Sequence, residues 1–311
     1  MTDLEVRELR YFQAVAEELN FSRAAERLGM AQPPLSRAIL QLERKLGAKL
    51  FDRTTHRVTL TVAGLTLFDE AGRILDAIAS ATRRTARAAL DTPTLVVTAK
   101  PGVVTNLLRR VVDAYLALPG AAHIEVVVSG YGEQASMARD GRADVALIGS
   151  PAEHRGLDLE PLTSEPRVAA LPAGHALARH TALSCRDLAG LPTPQGPDST
   201  PAQRAYWSGQ DGESRPDLST AGPIVQDSSQ LLEAVALGQA VALIPETLSK
   251  INHRADIAYR PVRDASPYRI SVAWLSGSRN SHTAHFVRTA IELSMTETVC
   301  ETAGSRGSGS S

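Results

Sequence analysis

The N-terminal fold is decided by residues 21–46, which read FSRAAERLGMAQPPLSRAILQLERKL. A short helix is expected from Ser22, its predicted N-cap, to Leu28, and Gly29 supplies the left-handed residue that ends it. A second helix opens at Gln32, because prolines are tolerated in a first helical turn. Its apolar residues recur at helical spacing, and they are Leu35, Ile39, Leu42 and Leu46. Two short helices joined by a glycine turn predict a helix-turn-helix.

The polar residues of the second helix lie off this apolar stripe and suit base recognition. A helix in the major groove places its N-terminal residues on base edges. Glutamine and arginine form paired hydrogen bonds with adenine and guanine, respectively. The candidate DNA-binding residues of the two helices are Ser22, Gln32, Pro33, Pro34, Ser36, Arg37 and Gln41.

Positive charge is concentrated in the same region. Residues 20–60 contain eight Lys or Arg and three Asp or Glu, a net charge of plus five, whereas the whole chain of 311 residues carries minus one. A local basic field attracts phosphate whatever the base sequence. The spacing alone leaves open a solvated helical hairpin, and the charge distribution favours DNA binding over that alternative.

A predicted β-wing follows at residues 47–60, GAKLFDRTTHRVTL. Two short strand-like runs flank a polar turn, and such a wing commonly places cations against the sugar-phosphate backbone. Arg53 and Arg57 are therefore candidate backbone contacts. The alternative for each is an ordinary exposed hairpin tip.

A long helix is expected from Val62 to Ala89, with apolar or small residues in an alternating three-four spacing. That spacing is typical of two helices packed along a seam. The candidate dimerisation residues are Leu65, Phe68, Leu75 and Ala79. The alternative is a helix packed only on its own chain. A dimer is favoured because one helix-turn-helix reads too few bases for useful specificity. The two-fold symmetry of a dimer would then match an inverted repeat in the DNA.

Beyond Asp91-Thr92-Pro93, which breaks the helix, short apolar strands alternate with helices. This pattern predicts a mostly parallel sheet covered on both faces. The run Val-Ala-Leu-Ile occurs at 145–148 and again at 241–244, which favours two similar lobes. Two crossings between the lobes, near 162–165 and 265–268, would form a hinge, and the cleft between hinged lobes is a natural small-molecule site.

Ligands of such sheets meet the loops at the carboxyl ends of strands. Lys100 beside helix N-termini would favour a carboxylate or another anion, unless it points to solvent. Tyr131 would stack on a ring or line the cleft. The candidate effector-binding residues are Lys100, Pro101, Gly102, Ser129, Gly130, Tyr131, Ser199, Thr200 and Asp227.

A series of short motifs occurs in order within residues 9–64, namely Leu9-Arg10-Tyr11-Phe12, Asn20-Phe21-Ser22, Gln32-Pro33-Pro34-Leu35-Ser36, Leu46-Gly47, Leu50-Phe51-Asp52-Arg53 and Thr61-Val62-Ala63-Gly64. Their order and spacing resemble the N-terminal domain of LysR-type transcriptional regulators, and the rest of the chain resembles that family's layout. The resemblance implies a multidomain protein: a winged helix-turn-helix at 1–61, a linker and dimerisation helix at 62–91, and an α/β, two-lobed, periplasmic-binding-protein-like effector domain at 92–296. Lobe I would comprise about 92–162 and 267–296, and lobe II about 163–266. Residues 297–311 are expected to be a disordered tail.

The resemblance also implies partners. A homodimer or homotetramer would bind an interrupted inverted repeat of double-stranded DNA, respond to a small-molecule effector in the cleft and contact RNA polymerase. Family members contact effectors at the loops named above and often have Ser or Thr at the position of Lys100, so this lysine is a departure that points to an anionic effector.

Other classes of protein are disfavoured. No apolar run reaches membrane-spanning length, and the first ten residues, MTDLEVRELR, lack the apolar core of an export signal. We therefore expect a cytoplasmic location and no membrane partner, which argues against a solute-binding protein. Cys185 and Cys300 have no metal-ligand spacing and do not resemble a thiol switch. We expect no metal, cofactor or catalytic residues, hence no enzyme. An effector-independent DNA-binding repressor is the remaining alternative.

Overall fold

The computed structural model describes residues 4–53, 57–89, 91–100, 102–152, 154–197, 199–212 and 220–305, with side chains to residue 296. The chain divides into two compact units between Ala86 and Arg87. The first unit is helical with a small β-wing, and the second is α/β. The predicted fold class is confirmed.

Three helices form the core of the first unit: α1 (Val6–Glu18), α2 (Phe21–Arg27) and α3 (Gln32–Leu46). The predicted apolar stripe of α3 faces this core, because Leu35, Ile39 and Leu42 are fully buried, and Leu46 is half-buried at its end. Phe12 of α1 is also fully buried, so α1 packs across the helix-turn-helix pair.

The start of α2 differs from the prediction. Ser22 is not the N-cap, because the helix begins at Phe21 and Asn20 occupies the cap position. The Asn20 carboxamide oxygen accepts hydrogen bonds from the backbone N–H of Ser22 (2.9 Å) and of Arg23 (3.1 Å). Asn and Ser are equally good caps, so the residue that directly precedes the first helical residue becomes the N-cap.

The wing consists of β1 (Phe51–Arg53) and β2 (Val58–Leu60), which pair antiparallel with Phe51 opposite Leu60. Residues 54–56 of the predicted turn lie outside the described residues. Glu43 of α3 anchors the wing, since one carboxylate oxygen accepts from the backbone N–H of Leu50 (2.9 Å) and Phe51 (3.2 Å).

Helix α4 (Val62–Ala88) follows β2 directly. Position 64, in the first turn of this helix, requires glycine, because a Cβ there would lie 2.1 Å from the carbonyl oxygen of Leu50. Phe68 and Leu75 are half-buried against the core of their own unit, whereas Leu65 is 55% exposed. The predicted dimerisation residues therefore divide between own-unit packing and exposed surface.

Lobe I of the second unit is built on a five-stranded sheet in the order β4-β3-β5-β12-β6. Its first three strands are parallel, and β12 is antiparallel to β5 and β6. The strands are β3 (Thr94–Ala99), β4 (His123–Val128), β5 (Val145–Gly149), β6 (Leu157–Glu165) and β12 (Tyr268–Leu275). Its helices are α5 (Thr105–Leu116), α6 (Glu133–Arg139) and α10 (Ser281–Ser305).

Lobe II contains an antiparallel sheet in the order β10-β7-β11 and a parallel pair, β8-β9. The prediction of a mostly parallel sheet is wrong for this lobe. An apolar run indicates a buried strand, but the connections set its direction. The strands are β7 (Arg167–Pro172), β8 (Pro192–Gln195), β9 (Thr220–Ile224), β10 (Ala242–Pro245) and β11 (Ile257–Pro261), and the helices are α7 (Pro201–Trp207), α8 (Ser228–Ala236) and α9 (Glu246–Ile251).

Two further details differ from the sequence pattern. Strand β4 is apolar but is an edge strand, so that Val126 and Val128 remain exposed. Helix α10 continues to Ser305, past residue 296, where the sequence predicted a disordered tail. The segment 297–303 holds neither Gly nor Pro, so nothing local stops the helix. Residues 306–311 lie outside the described residues.

The chain crosses between the lobes twice, from β6 to β7 at Glu165–Arg167 and from β11 to β12 between Pro261 and Tyr268. Both crossings fall at the predicted hinge. Among the described residues, no helix combines the length and apolar character that a bilayer crossing would need.

Candidate DNA interface and effector cleft

The predicted recognition helix α3 presents two polar side chains that have no partner among the described residues. Arg37 and Gln41 are exposed, and neither side chain forms a hydrogen bond or ion pair with another described residue. Gln32, at the first position of the helix, donates from Nε2 to Ser36 Oγ at 2.8 Å. Pro33 is exposed and Pro34 half-buried beside them. The exposed predicted base-reading residues thus share the N-terminal half of one helix.

Several other cations of this unit are already paired with its own carboxylates. Arg27 lies 2.6 Å from Glu17, and Lys45 lies 3.0 Å from Glu8. The exposed cations Arg44 and Lys49, by contrast, have side chains without hydrogen bonds or ion pairs within the part of the chain that the structure describes. The sequence charge count therefore overstates how many cations are immediately available to phosphate.

The wing arginine Arg53 is held in place by two contacts. Its guanidinium lies 3.3 Å from a Glu43 carboxylate oxygen and 4.5 Å from the centre of the Phe21 ring. Arg57 is exposed just before β2. Ser22 is exposed in the first turn of α2, and a serine hydroxyl can donate to a phosphate oxygen. These positions suit backbone contacts, and their role stays a prediction.

The predicted effector cleft brings together the loops that follow β3 and β4. The Lys100 Nζ atom lies 3.5 Å above the centre of the Tyr131 ring. No described carboxylate pairs with this amine. Burial alone therefore acts on it and lowers the pKa of Lys100 to about 7. The side chain is only partly exposed, so the alternative of a lysine pointing freely into solvent does not describe it.

Tyr131 also reaches across to lobe II. Its hydroxyl donates to Ser228 Oγ at 3.2 Å, and Ser228 is the first residue of α8. Burial, opposed by this hydrogen bond, raises the pKa of the Tyr131 phenol. The phenol therefore stays protonated and remains a hydrogen-bond donor at neutral pH.

The loop before Tyr131 is rigidly hydrogen-bonded. Gln134 Nε2 donates to Ser129 Oγ (2.7 Å) and to the Gly130 carbonyl (2.8 Å), and the Gly130 N–H donates to Glu133 (2.7 Å). Ser129 is buried within this network. These bonds make Ser129 and Gly130 a support for the tyrosine.

The predicted effector residues of lobe II lie at the starts of two helices. Thr200 Oγ1 accepts from the N–H of Gln203 and caps α7, and Asp227 accepts from the N–H of Gln230 and caps α8. The Ser199 carbonyl accepts from Arg204 at 2.5 Å. The capping roles of Thr200 and Asp227 need no ligand, and the effector contacts of all three residues remain predictions.

Gly102 adopts a φ of +97°, and a Cβ there would lie 3.6 Å from Leu248 of α9. The loop after β3 thus approaches lobe II at this glycine. Pro101 lies outside the described residues.

Sequence reasoning missed three residues around this cleft: Gln134, Ser228 and Arg167. The first two are ordinary polar residues at helix starts, and nothing in their local pattern marks a role. Arg167 is fully buried at the hinge and donates to the carbonyls of Ser266 (2.5 Å) and Tyr206 (2.6 Å). An arginine opening an apolar strand was the available signal.

A separate open groove of about 430 Å³ lies in lobe I between the end of β12 and α10. Trp274, Val287 and Ile291 contribute to its apolar lining, and Arg288 and Glu292 also line it. It contains none of the predicted effector residues.

A winged helix-turn-helix unit followed by a hinged two-lobed α/β unit defines a DNA-binding regulator with a ligand-binding domain. Residues 6–65 match the family described as bacterial regulatory helix-turn-helix protein, lysR family, and residues 88–294 match the LysR substrate binding domain. The chain therefore belongs to the LysR family of transcriptional regulators. It is a regulator and not an enzyme.

Similar proteins span almost the whole chain. The Hca operon transcriptional activator HcaR of Escherichia coli is 31% identical over 294 residues, covering 91% of this chain and 96% of HcaR. The regulator BudR of Raoultella terrigena is 32% identical over 295 residues, covering 91% of this chain and 99% of BudR. The crystal structure of a mutant form of full-length BenM has a TM-score of 0.53 at 25% identity, covering 94% of this chain and 97% of that BenM chain.

Proposed function

We propose that this protein is a homodimeric or homotetrameric regulator that binds an interrupted inverted repeat in the cytoplasm and responds to a small anionic effector held at Lys100. Gln32, Pro33, Ser36 and Arg37 face bases, while Ser22, Arg53 and Arg57 contact the backbone. The effector shifts the population of oligomer shapes and thereby changes contact with RNA polymerase. This shift requires that the effector bind one shape more tightly than the other.

Base reading is supported by the free donors of α3. Arg37 is exposed without an ion-pair partner among the described residues, near the start of the recognition helix. A guanidinium in this position offers two parallel donors to a guanine edge. Arg44, two turns further along the same helix, is also exposed and unpaired among the described residues but lies in the helix's last turn.

These two arginines form a matched pair for a gel-shift titration against the DNA upstream of this protein's own gene, at two salt concentrations. Arg37→Ala is expected to weaken specific binding by about 5- to 150-fold and to relax sequence preference. Arg44→Ala should weaken all DNA binding uniformly and lower the salt slope. Equal effects of the two substitutions on specific and random DNA would contradict base reading by Arg37.

The proposal that the effector is an anion rests on one observation. The Lys100 amine lies in the cleft with no described acidic partner. A desolvated cation without a carboxylate is stabilised by a bound anion. Because burial brings the pKa of Lys100 to about 7, the anion would bind the ammonium form and raise that pKa.

The effector can be tested with propionate, benzoate, succinate and sulfate as probes in thermal melts at pH 6. At least one anion is expected to raise the melting temperature of the wild type but not of Lys100→Met. Lys250→Met is the control, since Lys250 is exposed and paired with Glu246. An anion that stabilises Lys100→Met equally would place binding elsewhere, for example at the Arg288 groove. If no anion acts, the effector-independent repressor is favoured.

Oligomer formation through α4 is supported by its exposed apolar residues. Val62 is 83% exposed and Leu65 55% exposed, and Ile74 adds further exposed apolar surface on the same helix. A second copy would cover such residues. Leu65→Glu is expected to lower the oligomeric state in sedimentation without unfolding the protein, whereas an unchanged sedimentation coefficient would contradict a seam at Leu65.

A further inference from the structure

The environment of the Lys100 amine is unusual for a lysine. The face of the Tyr131 ring lies 3.5 Å from the amine, measured to the ring centre. Among the described residues it has no hydrogen bond or ion pair. A ring face attracts a cation through its quadrupole alone, whereas a carboxylate offers a full charge and hydrogen-bond acceptors. An anion would therefore compete favourably with the Tyr131 ring for contact with the Lys100 ammonium.

The same ring carries the link between the lobes. Tyr131 follows β4 of lobe I, and its hydroxyl hydrogen-bonds Ser228 at the start of α8 in lobe II. Anything that moves the ring away from Lys100 also removes this bond. One side chain thus joins the charge at the effector site to the contact across the cleft.

The support of Tyr131 confines this movement to its side chain. Gln134 and Glu133 hold the backbone of Gly130 by two hydrogen bonds, and Gln134 also donates to the Ser129 hydroxyl. Gly132 takes the left-handed conformation that follows the tyrosine. With the backbone fixed, the ring leaves Lys100 by rotating about its side-chain torsions.

We propose that Tyr131 is the switch residue of the cleft: without effector its ring covers the Lys100 amine and its hydroxyl ties lobe I to Ser228 of lobe II, and an anion at Lys100 displaces the ring and releases the tie. This inference rests on the proposed function for its ligand, but the masking of Lys100 by the Tyr131 ring is a contact within this chain. The two can therefore be tested separately.

Amine labelling measures the masking directly. The chain has only four lysines, Lys45, Lys49, Lys100 and Lys250, so acetylation of each can be followed by mass spectrometry in one sample. Lys49 is exposed and serves as the internal standard. The full-length protein is labelled without ligand, and the Lys100-to-Lys49 rate ratio is the readout.

Tyr131→Phe and Ser228→Ala each remove the tie and leave the ring present. Each is expected to raise the ratio about fivefold, the effect of one net hydrogen bond, and the double variant should show no further increase. Tyr259→Phe is the control, because it removes a phenol hydroxyl that donates to the Asn252 carbonyl within lobe II at 2.7 Å. The control ratio should equal that of the wild type.

An unchanged ratio in both cleft variants would overturn the proposal, as would additive increases in the double variant.

A second experiment measures how far benzoate raises the melting temperature at pH 6. The switch predicts about fivefold tighter benzoate binding in Tyr131→Phe and in Ser228→Ala, whereas weaker binding in both would make Tyr131 a direct ligand contact and overturn it. If benzoate, propionate, succinate and sulfate all fail on every variant while the labelling ratios rise, the proposed anionic effector fails and the masking stands.

Discussion

Replacing Lys100 with Met is expected to stabilise the second unit, with an effect that depends on pH. The amine has an ordinary pKa of 10.5, and burial lowers the pKa of Lys100 to about 7 in the folded protein. Each unit of difference corresponds to about 1.4 kcal/mol, so the native charge costs at most about 5 kcal/mol. Methionine fills similar space without a charge.

The sign of the pH dependence follows from proton uptake. Below pH 7 the lysine is charged in both the folded and unfolded chains, and the full cost of burying it is present. Between pH 7 and 10.5 only the unfolded chain binds the proton, so the cost diminishes as pH rises. The upper bounds are about 4.7 kcal/mol at pH 6 and about 1.4 kcal/mol at pH 9.5. Residual hydration of a half-buried ammonium reduces both, and at least about 2 kcal/mol is expected at pH 6.

Urea unfolding followed by tryptophan fluorescence is the suitable assay, because both tryptophans, Trp207 and Trp274, lie in the second unit. Lys250→Met is the control, since this exposed lysine pairs with Glu246 at 2.7 Å and its loss should cost under about 0.5 kcal/mol. A Lys100→Met protein that is less stable than wild type at pH 6, or an advantage that does not change with pH, would refute the desolvated amine.

Two further stability predictions concern other parts of the chain. Asn20→Ala should destabilise the first unit by about 1 kcal/mol in thermal melts followed by circular dichroism, because it removes the cap of α2, whereas Ser22→Ala should have little effect; equal losses would restore Ser22 as the cap. Arg167→Met should destabilise the second unit by about 3 kcal/mol in urea, because it leaves buried carbonyl partners at the hinge unpaired, whereas Arg254→Met, which breaks ion pairs at the surface, should change the stability little; a similar loss in both would contradict the hinge role of Arg167.

The helix-turn-helix was predictable because its signals are local. The apolar stripe of α3 needs only the 3.6-residue period, and the end of α2 needs only a glycine that adopts a φ of +65°. The free Arg37 followed from the same reasoning, since a residue off the stripe faces outward. The cap of α2 was misplaced by two residues, because Asn20 and Ser22 are both good caps and the sequence does not show where the first turn begins.

The cleft was predictable only as a set of loops. Strand ends place Lys100 and Tyr131 on the same edge of a sheet, which is a topological statement about parallel strands. The sequence does not contain the 3.5 Å contact between them, the absence of a described acid beside the amine, or the reach of Tyr131 to a serine 97 positions away.

The order of helices and strands, their buried faces and the location of the positive charge could be read from the sequence. Each depends on residues within a few positions of one another. Strand direction in lobe II, the exposed edge at β4 and the pKa of Lys100 were decided by the tertiary structure. These properties depend on which distant segments exclude water from a group or pair with it, and desolvation and long-range pairing exist only once the chain has folded.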